Sequence, residues 1–196
     1  TLVSLSEGTY SDCTITVTDS SGNSVTLNMS SFVIDTTAPT VSSISPTDNQ
    51  SGVSISTNIS VTFSESIDNT SVTTNTSDTS CSGTLQVSSN NFSSCVQISS
   101  SPSVTNSTKM FTVDPTDNLS HSNTYKIRVT TAVKDSAGNT LSSQYQSSNG
   151  FTTWSGTQLL GTSSNDSGYS MTVDSSDNIY LTGYTGGGLD GNTSSG

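Results

Sequence analysis

The sequence predicts an all-β fold, with one antiparallel sandwich over residues 38–154 and partial β-domains at 1–37 and 155–196. Three observations predict it. Apolar residues recur at every second position in short runs. The clearest run is T-Y-K-I-R-V-T, in which Tyr125, Ile127 and Val129 point one way and Lys126 and Arg128 the other. Clusters of Gly, Pro, Asn, Asp and Ser break the runs at short spacing. No stretch carries a helical period, apart from a single turn expected after Ile67.

The first segment, 1–37, holds strand patterns from Tyr10 to Thr18 and from Val25 to Ile34. The turn D-S-S-G-N (Asp19–Asn23) joins them, and Gly22 supplies the positive φ that such a turn needs. Two strands alone are not a stable domain. The segment is therefore expected to be the tail of a domain, with apolar Ile15, Val17, Leu27 and Phe32 left to pack on something else. Thr1 opens inside it, so the natural N-terminus is expected upstream.

The central segment carries seven strand patterns: Val41–Ser45, Asn58–Phe63, Cys81–Val87, Phe92–Ile98, Met110–Val113, Thr124–Thr131 and Gly150–Trp154. Its expected core is Val41, Ile44, Ile59, Val61, Phe63, Tyr125, Ile127, Val129 and Phe151. All four prolines lie at linker or turn positions, where a missing N–H is tolerated. The third segment reads as a hairpin whose strands carry Met171, Val173, Ile179, Leu181 and Tyr184, with a loop-like end. Its turn, D-S-S-D-N (Asp174–Asn178), resembles Asp19–Asn23 and D-S-A-G-N at Asp135–Asn139. This recurring pentapeptide lacks the extended ligand spacing of an EF-hand and reads as a strand-to-strand turn.

Composition narrows the function. Only 28% of residues are hydrophobic and 10% charged, which fits thin, water-facing sheets with small cores. Fifteen acids against four bases give a net charge of −11, the wrong sign for nucleic acid or an anionic membrane surface. No apolar run is long enough to span a bilayer. The three cysteines are Cys13, Cys81 and Cys95. Cys81 and Cys95 flank a polar turn, S-S-N-N, and would face each other if it folds as a hairpin. A disulfide there suits an extracellular composition, and two buried free thiols are the alternative. Cys13 is left over.

The central segment opens with D-T-T-A-P-T, then runs I-S-P-T-D-N-Q-S-G-V-S-I-S-T-N-I-S-V-T-F-S-E-S-I-D. It continues with N-T-Y-K-I-R-V, V-K-D-S-A-G-N-T-L and the closing G-F-T-T. Through these residues it resembles bacterial Ig-like domains of S-layer and large surface proteins. The resemblance implies an immunoglobulin-like antiparallel sandwich that spaces or presents other modules, on the bacterial cell surface or outside the cell. The cysteine-bearing hairpin departs from that pattern. Residues 1–37 look like the C-terminal hairpin of an incomplete Ig-like domain, through L-S-E-G-T-Y, T-V-T-D-S-S-G-N and F-V-I-D-T-T-A-P-T. Residues 155–196 resemble the start of a β-propeller repeat of the SBBP type, through L-L-G-T-S-S-N-D-S-G-Y-S-M-T-V-D-S-S-D-N-I-Y-L-T-G-Y-T. A propeller needs about four or more blades, so most of one is expected to lie elsewhere. Tyr125 after Leu119, like Tyr10 after Leu5, suits a tyrosine corner, in which the hydroxyl bonds back to the preceding turn.

Little in the chain speaks for catalysis, and no enzyme activity is expected. The single histidine, His121, lies in the turn L-S-H-S-N, and no nucleophile elbow, phosphate loop or C-x-x-C spacing occurs. Paired carboxylates are the one chemistry to weigh. In alternating antiparallel strands, Glu65 and Asp68 share a pole with Asp135 and Asn139, with the entering linker residue Asp35, and with the preceding Glu7 turn. Such acids repel unless a cation or hydrogen bonds offset them, and Ca²⁺ takes six to eight oxygen ligands of this kind. Solvated turn acids bonded to backbone N–H groups are the alternative.

The leading functional expectation is a structural spacer or stalk in a secreted, adhesin-like bacterial surface protein. Its partners would be neighbouring domains of a longer chain. One alternative is an extracellular filament assembled by strand exchange between identical copies. Another is a carbohydrate-binding module, which would need an exposed aromatic platform. The only tryptophan, Trp154, lies at the exit of the central segment.

Overall fold

The computed structural model describes residues 4–154, 165–173 and 179–185. The chain divides into two compact units, Thr1–Trp154 and Ser155–Gly196. In the first unit, β1 (Gly8–Tyr10), β2 (Thr14–Thr18), β3 (Ser24–Asn28) and β4 (Phe32–Ile34) form an interrupted hairpin. β1 pairs antiparallel with β4, and β2 with β3. The hairpin turn works as its sequence predicts. Gly22 has φ +91°, and the Asp19 carboxylate accepts hydrogen bonds from the backbone N–H groups of Ser21 and Asn23.

The central strands are β5 (Val41–Ser45), β6 (Ile59–Phe63), β7 (Leu85–Ser88), β8 (Ser103–Thr105) and β9 (Met110–Val113). They continue with β10 (Thr124–Val129), β11 (Tyr145–Gln146) and β12 (Phe151–Thr152). One sheet has the order β5-β6-β9-β8. In the other, β10 pairs with β7 on one side, and with β11 and β12 in succession on the other. The two inner faces make the core. Ile59, Val61, Phe111, Ile127 and Val129 are all fully buried, as period-two burial requires. Every residue of the expected core is buried except Val41, which packs against the core's edge. Gly150 sets the start of β12. A Cβ there would meet the Tyr125 carbonyl oxygen at 2.3 Å, so only glycine lets the two backbones approach. The expected turn after Ile67 is a single 3-10 turn, Asn69–Ser71, capped by Asp68. In the second unit, β13 (Asp166–Val173) pairs antiparallel with β14 (Ile179–Thr185). The Asp174–Asn178 turn lies outside the described residues.

The cysteine-bearing hairpin is where the expectation fails. β7 starts at Leu85, and its ladder partner is β10 rather than the segment Phe92–Ile98, which forms no strand. Asn91 and Phe92 both adopt positive φ, 57° and 63°, which turns the chain out of any two-residue hairpin register. The Ser88 hydroxyl also donates to the Ser94 carbonyl and accepts from the Phe92 N–H, closing a compact loop. Cys81 and Cys95 are nonetheless disulfide-bonded, with Cα atoms 5.0 Å apart. Cys13 is free. β8 and β11 were not anticipated, and the strands number eight rather than seven.

The closed loop lies over the outer face of β7 and β10. The Arg128 guanidinium carbon sits 3.9 Å from the centre of the Phe92 ring. Its Nε donates to Gln86 Oε1 at 2.7 Å. Gln86 is itself buried and donates to the carbonyls of Cys81 and Gly83. Arg128 faces away from the core, as the alternation requires, and is half-buried under the Phe92 ring. Burial pushes its pKa down, and it stays charged throughout the ordinary pH range.

Two outcomes follow from this packing. Ile127→Ala should cost about 2–5 kcal/mol of unfolding free energy in urea titration, because a fully buried side chain leaves a cavity. Reducing the disulfide, whose cysteines are 14 residues apart, should cost about 3 kcal/mol by restoring loop entropy to the unfolded chain. A fall below about 1 kcal/mol on reduction would show that the loop's own hydrogen bonds hold it.

Candidate cation site at the linker pole

Three loops meet where the chain enters the central sandwich. Asp35 directly follows β4, Glu65 lies just beyond β6, and Asp135 opens the turn after β10. Backbone bonds lock the loops together. The Asp68 N–H donates to the Lys134 carbonyl at 2.9 Å, and the Ser136 N–H donates to the Ser66 carbonyl at 3.2 Å. Asn139 ties in the linker, since its Nδ2 donates to the Asp35 carbonyl at 3.0 Å and to Asp135 Oδ2 at 2.8 Å.

The outcome is a trio. One carboxylate oxygen from each of Asp35, Glu65 and Asp135 lies within 4.8 Å of the others. Asp135 is buried, and the N–H groups of Ala137 and Asn139 both donate to its Oδ1 at 2.8 Å. Asp35 and Glu65 are half-buried, and Asp35 Oδ1 accepts from the Thr37 N–H. The Glu65 carboxyl is pushed above its ordinary pKa, first by desolvation and then by repulsion from Asp35 and Asp135. Lys109 opposes the rise, but its Nζ is engaged with the Ser64 carbonyl at 3.2 Å.

Glu7 and Asp68, the other two acids expected at this pole, do not join the trio. The Thr36 and Thr37 hydroxyls donate to the Glu7 carboxylate and hold its pKa low. Glu7 lines the same cleft as Asp35 and Glu65, with Thr9, Val33 and Thr37. The Asp68 carboxylate accepts from the hydroxyl and N–H of Thr70, which lowers its pKa in the same way. Both outcomes have a sequence signal, a threonine placed to donate: Thr70 two residues after Asp68, and the Thr36–Thr37 pair facing Glu7. Strand order also places Asn139 at this pole beside Asp135, but its hydrogen bond to the linker carbonyl has no signal in the sequence.

Chemically, the trio can share a proton or hold a divalent cation. Ligands at 2.3–2.6 Å from one Ca²⁺ are at most about 5 Å apart, so the spacing admits the ion, with water and carbonyls as further ligands. At the opposite pole, His121 stands edge-on to Trp154 with ring centres 5.3 Å apart. Among the described residues, no hydrogen bond joins His121 to a serine hydroxyl or a carboxylate.

The trio predicts a pH effect. A carboxyl whose pKa rises on folding keeps its proton longer when folded, so its ionisation at neutral pH opposes folding. That cost disappears below the unfolded value of 4.5. In chelator, Glu65→Gln should therefore raise the melting temperature at pH 7 and leave it unchanged at pH 3. Equal shifts at both pH values would assign the effect to packing.

Comparison with known proteins gives two family matches. The family described as "Bacterial Ig-like domain" matches residues 35–153, and the "Beta-propeller repeat" family matches residues 156–190. Similar solved structures include "Structure of surface layer protein SbsC, domains 1-6", at 20% identity and TM-score 0.45, covering 74% of this chain and 19% of that one. Another is "Crystal structure of the N-terminal part of the bacterial S-layer protein SbsC", at 19% identity and TM-score 0.45, covering 74% of this chain and 33% of that one. This chain thus spans a third or less of those chains. No curated protein matches it.

Proposed function

With residues 35–153 placing this chain in the bacterial Ig-like domain family, we propose that it is a structural spacer in a bacterial surface protein. The observation that carries the reading is the path of the chain through the sandwich. The polypeptide enters beside Asp35, Glu65 and Asp135, next to the β5 residue Val41 and its partner Phe63. It leaves at Trp154, whose carbonyl accepts from the Ser122 N–H before β10 begins. β10 runs from that exit pole to the entry pole, where Asp135 follows it. Entry and exit therefore lie at opposite ends of the strands, the arrangement by which one sandwich extends a chain. Placement outside the cell is supported by the Cys81–Cys95 disulfide, which persists in oxidising compartments. Among the described residues, no helix is long and apolar enough to cross a membrane. Deleting residues 38–154 from the cell-borne protein should shorten its projection in electron micrographs without removing a binding activity. Loss of a specific ligand with an unchanged projection would refute the spacer reading.

The entry pole is the joint of such a spacer, and Ca²⁺ bound by Asp35, Glu65 and Asp135 would stiffen it. The support is the closeness of three carboxylates with Asn139 bridging linker and turn. Calcium at a hundredfold excess over its Kd should stabilise the fold by about 2.7 kcal/mol, seen as a rise in melting temperature that chelator reverses. Asp135→Asn should abolish that rise. No shift at millimolar calcium would remove the ion from the account and leave the trio as a proton-sharing cluster.

A further inference from the structure

Residues 4–34 repeat the last part of the central sandwich feature by feature. Tyr10 stacks on Phe32 across β1 and β4, with ring centres 5.3 Å apart at 13°. Tyr125 stacks on Phe151 across β10 and β12, at 5.7 Å and 23°. Each tyrosine hydroxyl is tied to the turn before it. Tyr10 donates to the Ser6 carbonyl at 2.8 Å, and Tyr125 accepts from the Ser120 N–H at 2.9 Å. The turns Asp19–Asn23 and Asp135–Asn139 carry matching bonds, in which the aspartate accepts from two backbone N–H groups and from the asparagine Nδ2.

The two segments differ in what covers them. In the central sandwich, Val133 and Leu141, which flank the Asp135–Asn139 turn as Val17 and Val25 flank Asp19–Asn23, are buried in the core with Tyr125, Ile127 and Val129. In the first, Ile15, Val17, Val25 and Leu27 pair on one face and are 48%, 56%, 56% and 58% exposed. The opposite face carries hydroxyl pairs, Thr16 with Thr26 and Thr18 with Ser24.

We infer that this apolar face is half of a second sandwich core, and that its occupant is a neutral antiparallel sheet supplied by preceding strands of the same polypeptide. The inference deepens the spacer reading and rests on it for the tandem order. Three observations select the occupant. No charged residue occurs in 13–18 or 24–29, so the partner face must be uncharged, as the inner face of β5-β6-β9-β8 is with Ile59, Val61 and Phe111. Four side chains that are each already about half covered offer less than the 800 Å² or so per partner that a stable complex between separate molecules buries. A tethered sheet needs less area, because tethering supplies an effective concentration in the millimolar range. Finally, β5, β6, β8 and β9 all precede β10 in the chain, so by the same order the missing sheet precedes residue 4.

Hydrogen exchange read by mass spectrometry tests this on two proteins. One is the 196-residue chain, and the other is the same chain extended by about 100 residues of its natural N-terminal sequence, a typical sandwich length. In the shorter protein, amides in 14–28 should exchange at least a hundredfold faster than those in 124–129. In the longer protein they should approach the rates of 124–129. Val17→Lys in the longer protein should return 14–28 to fast exchange and leave 124–129 unchanged. Fast exchange that persists on extension overturns the inference, as does slow exchange in a monomeric 196-residue chain or in the Val17→Lys protein. Protection that grows with concentration alongside a doubled mass assigns the face to a second copy and overturns the tethered sheet. A failure of the spacer reading would instead show in the micrographs, with these exchange rates unaffected.

Discussion

The structure depends on the interlocking of two narrow apolar stripes, one on each sheet of the central sandwich. Ile59, Val61 and Phe63 on β6 and Phe111 and Val113 on β9 form one stripe. Leu85 and Val87 on β7 and Tyr125, Ile127 and Val129 on β10 form the other. Phe63 and Phe111 meet edge to face across 5.8 Å, a favoured aromatic geometry. With only 28% hydrophobic residues in the chain, no second core is available inside this domain to replace that one. The positions of both poles follow from it. Burial fixes which face each strand turns inward, and the antiparallel order of the strands decides which loops converge.

Around this thin core, small polar side chains hold the loops. The Thr84 hydroxyl donates to the Ser71 carbonyl, and the Ser147 hydroxyl accepts from the buried Ile127 N–H. The Asp48 carboxylate accepts from the N–H groups of Asn149 and Gly150. A composition dominated by Ser, Thr and Asn resembles that of a disordered chain, yet here these residues satisfy backbone groups that short strands leave unpaired. The disulfide loop extends the same economy outward. It covers Gln86 and Arg128 with one aromatic ring rather than a third layer of sheet.

The strands that build the core were legible because their burial alternates strictly. β6, β9 and β10 all read directly from period two. The convergence of Asp35, Glu65 and Asp135 was legible for a related reason, since antiparallel order alone places their loops at one pole. Alternation and strand order do not show local competition, which rests on single donors such as Thr70. Glu7 and Asp68 each meet a threonine donor before they can reach the trio. The Phe92–Ile98 run alternates like a strand, but positive φ at Asn91 and Phe92 sends it over the sheet instead of into it. Two-residue strands such as β11 carry too few side chains to show any period. The second unit shows its hairpin pairing, and the parts of its motif outside the described residues stay at the level of sequence.

The central claim is that this sandwich transmits force between opposite poles through one interlocked core. Pulling a single chain from its ends in an atomic force microscope tests it most directly. The account predicts one sharp resisting event for residues 39–154. Its extension should grow by about 45 Å after reduction, because the 14-residue span between Cys81 and Cys95 is then released at about 3.5 Å per residue in place of the 5.0 Å between the linked Cα atoms. Smooth extension with no resisting event, or an event whose length ignores reduction, would contradict it.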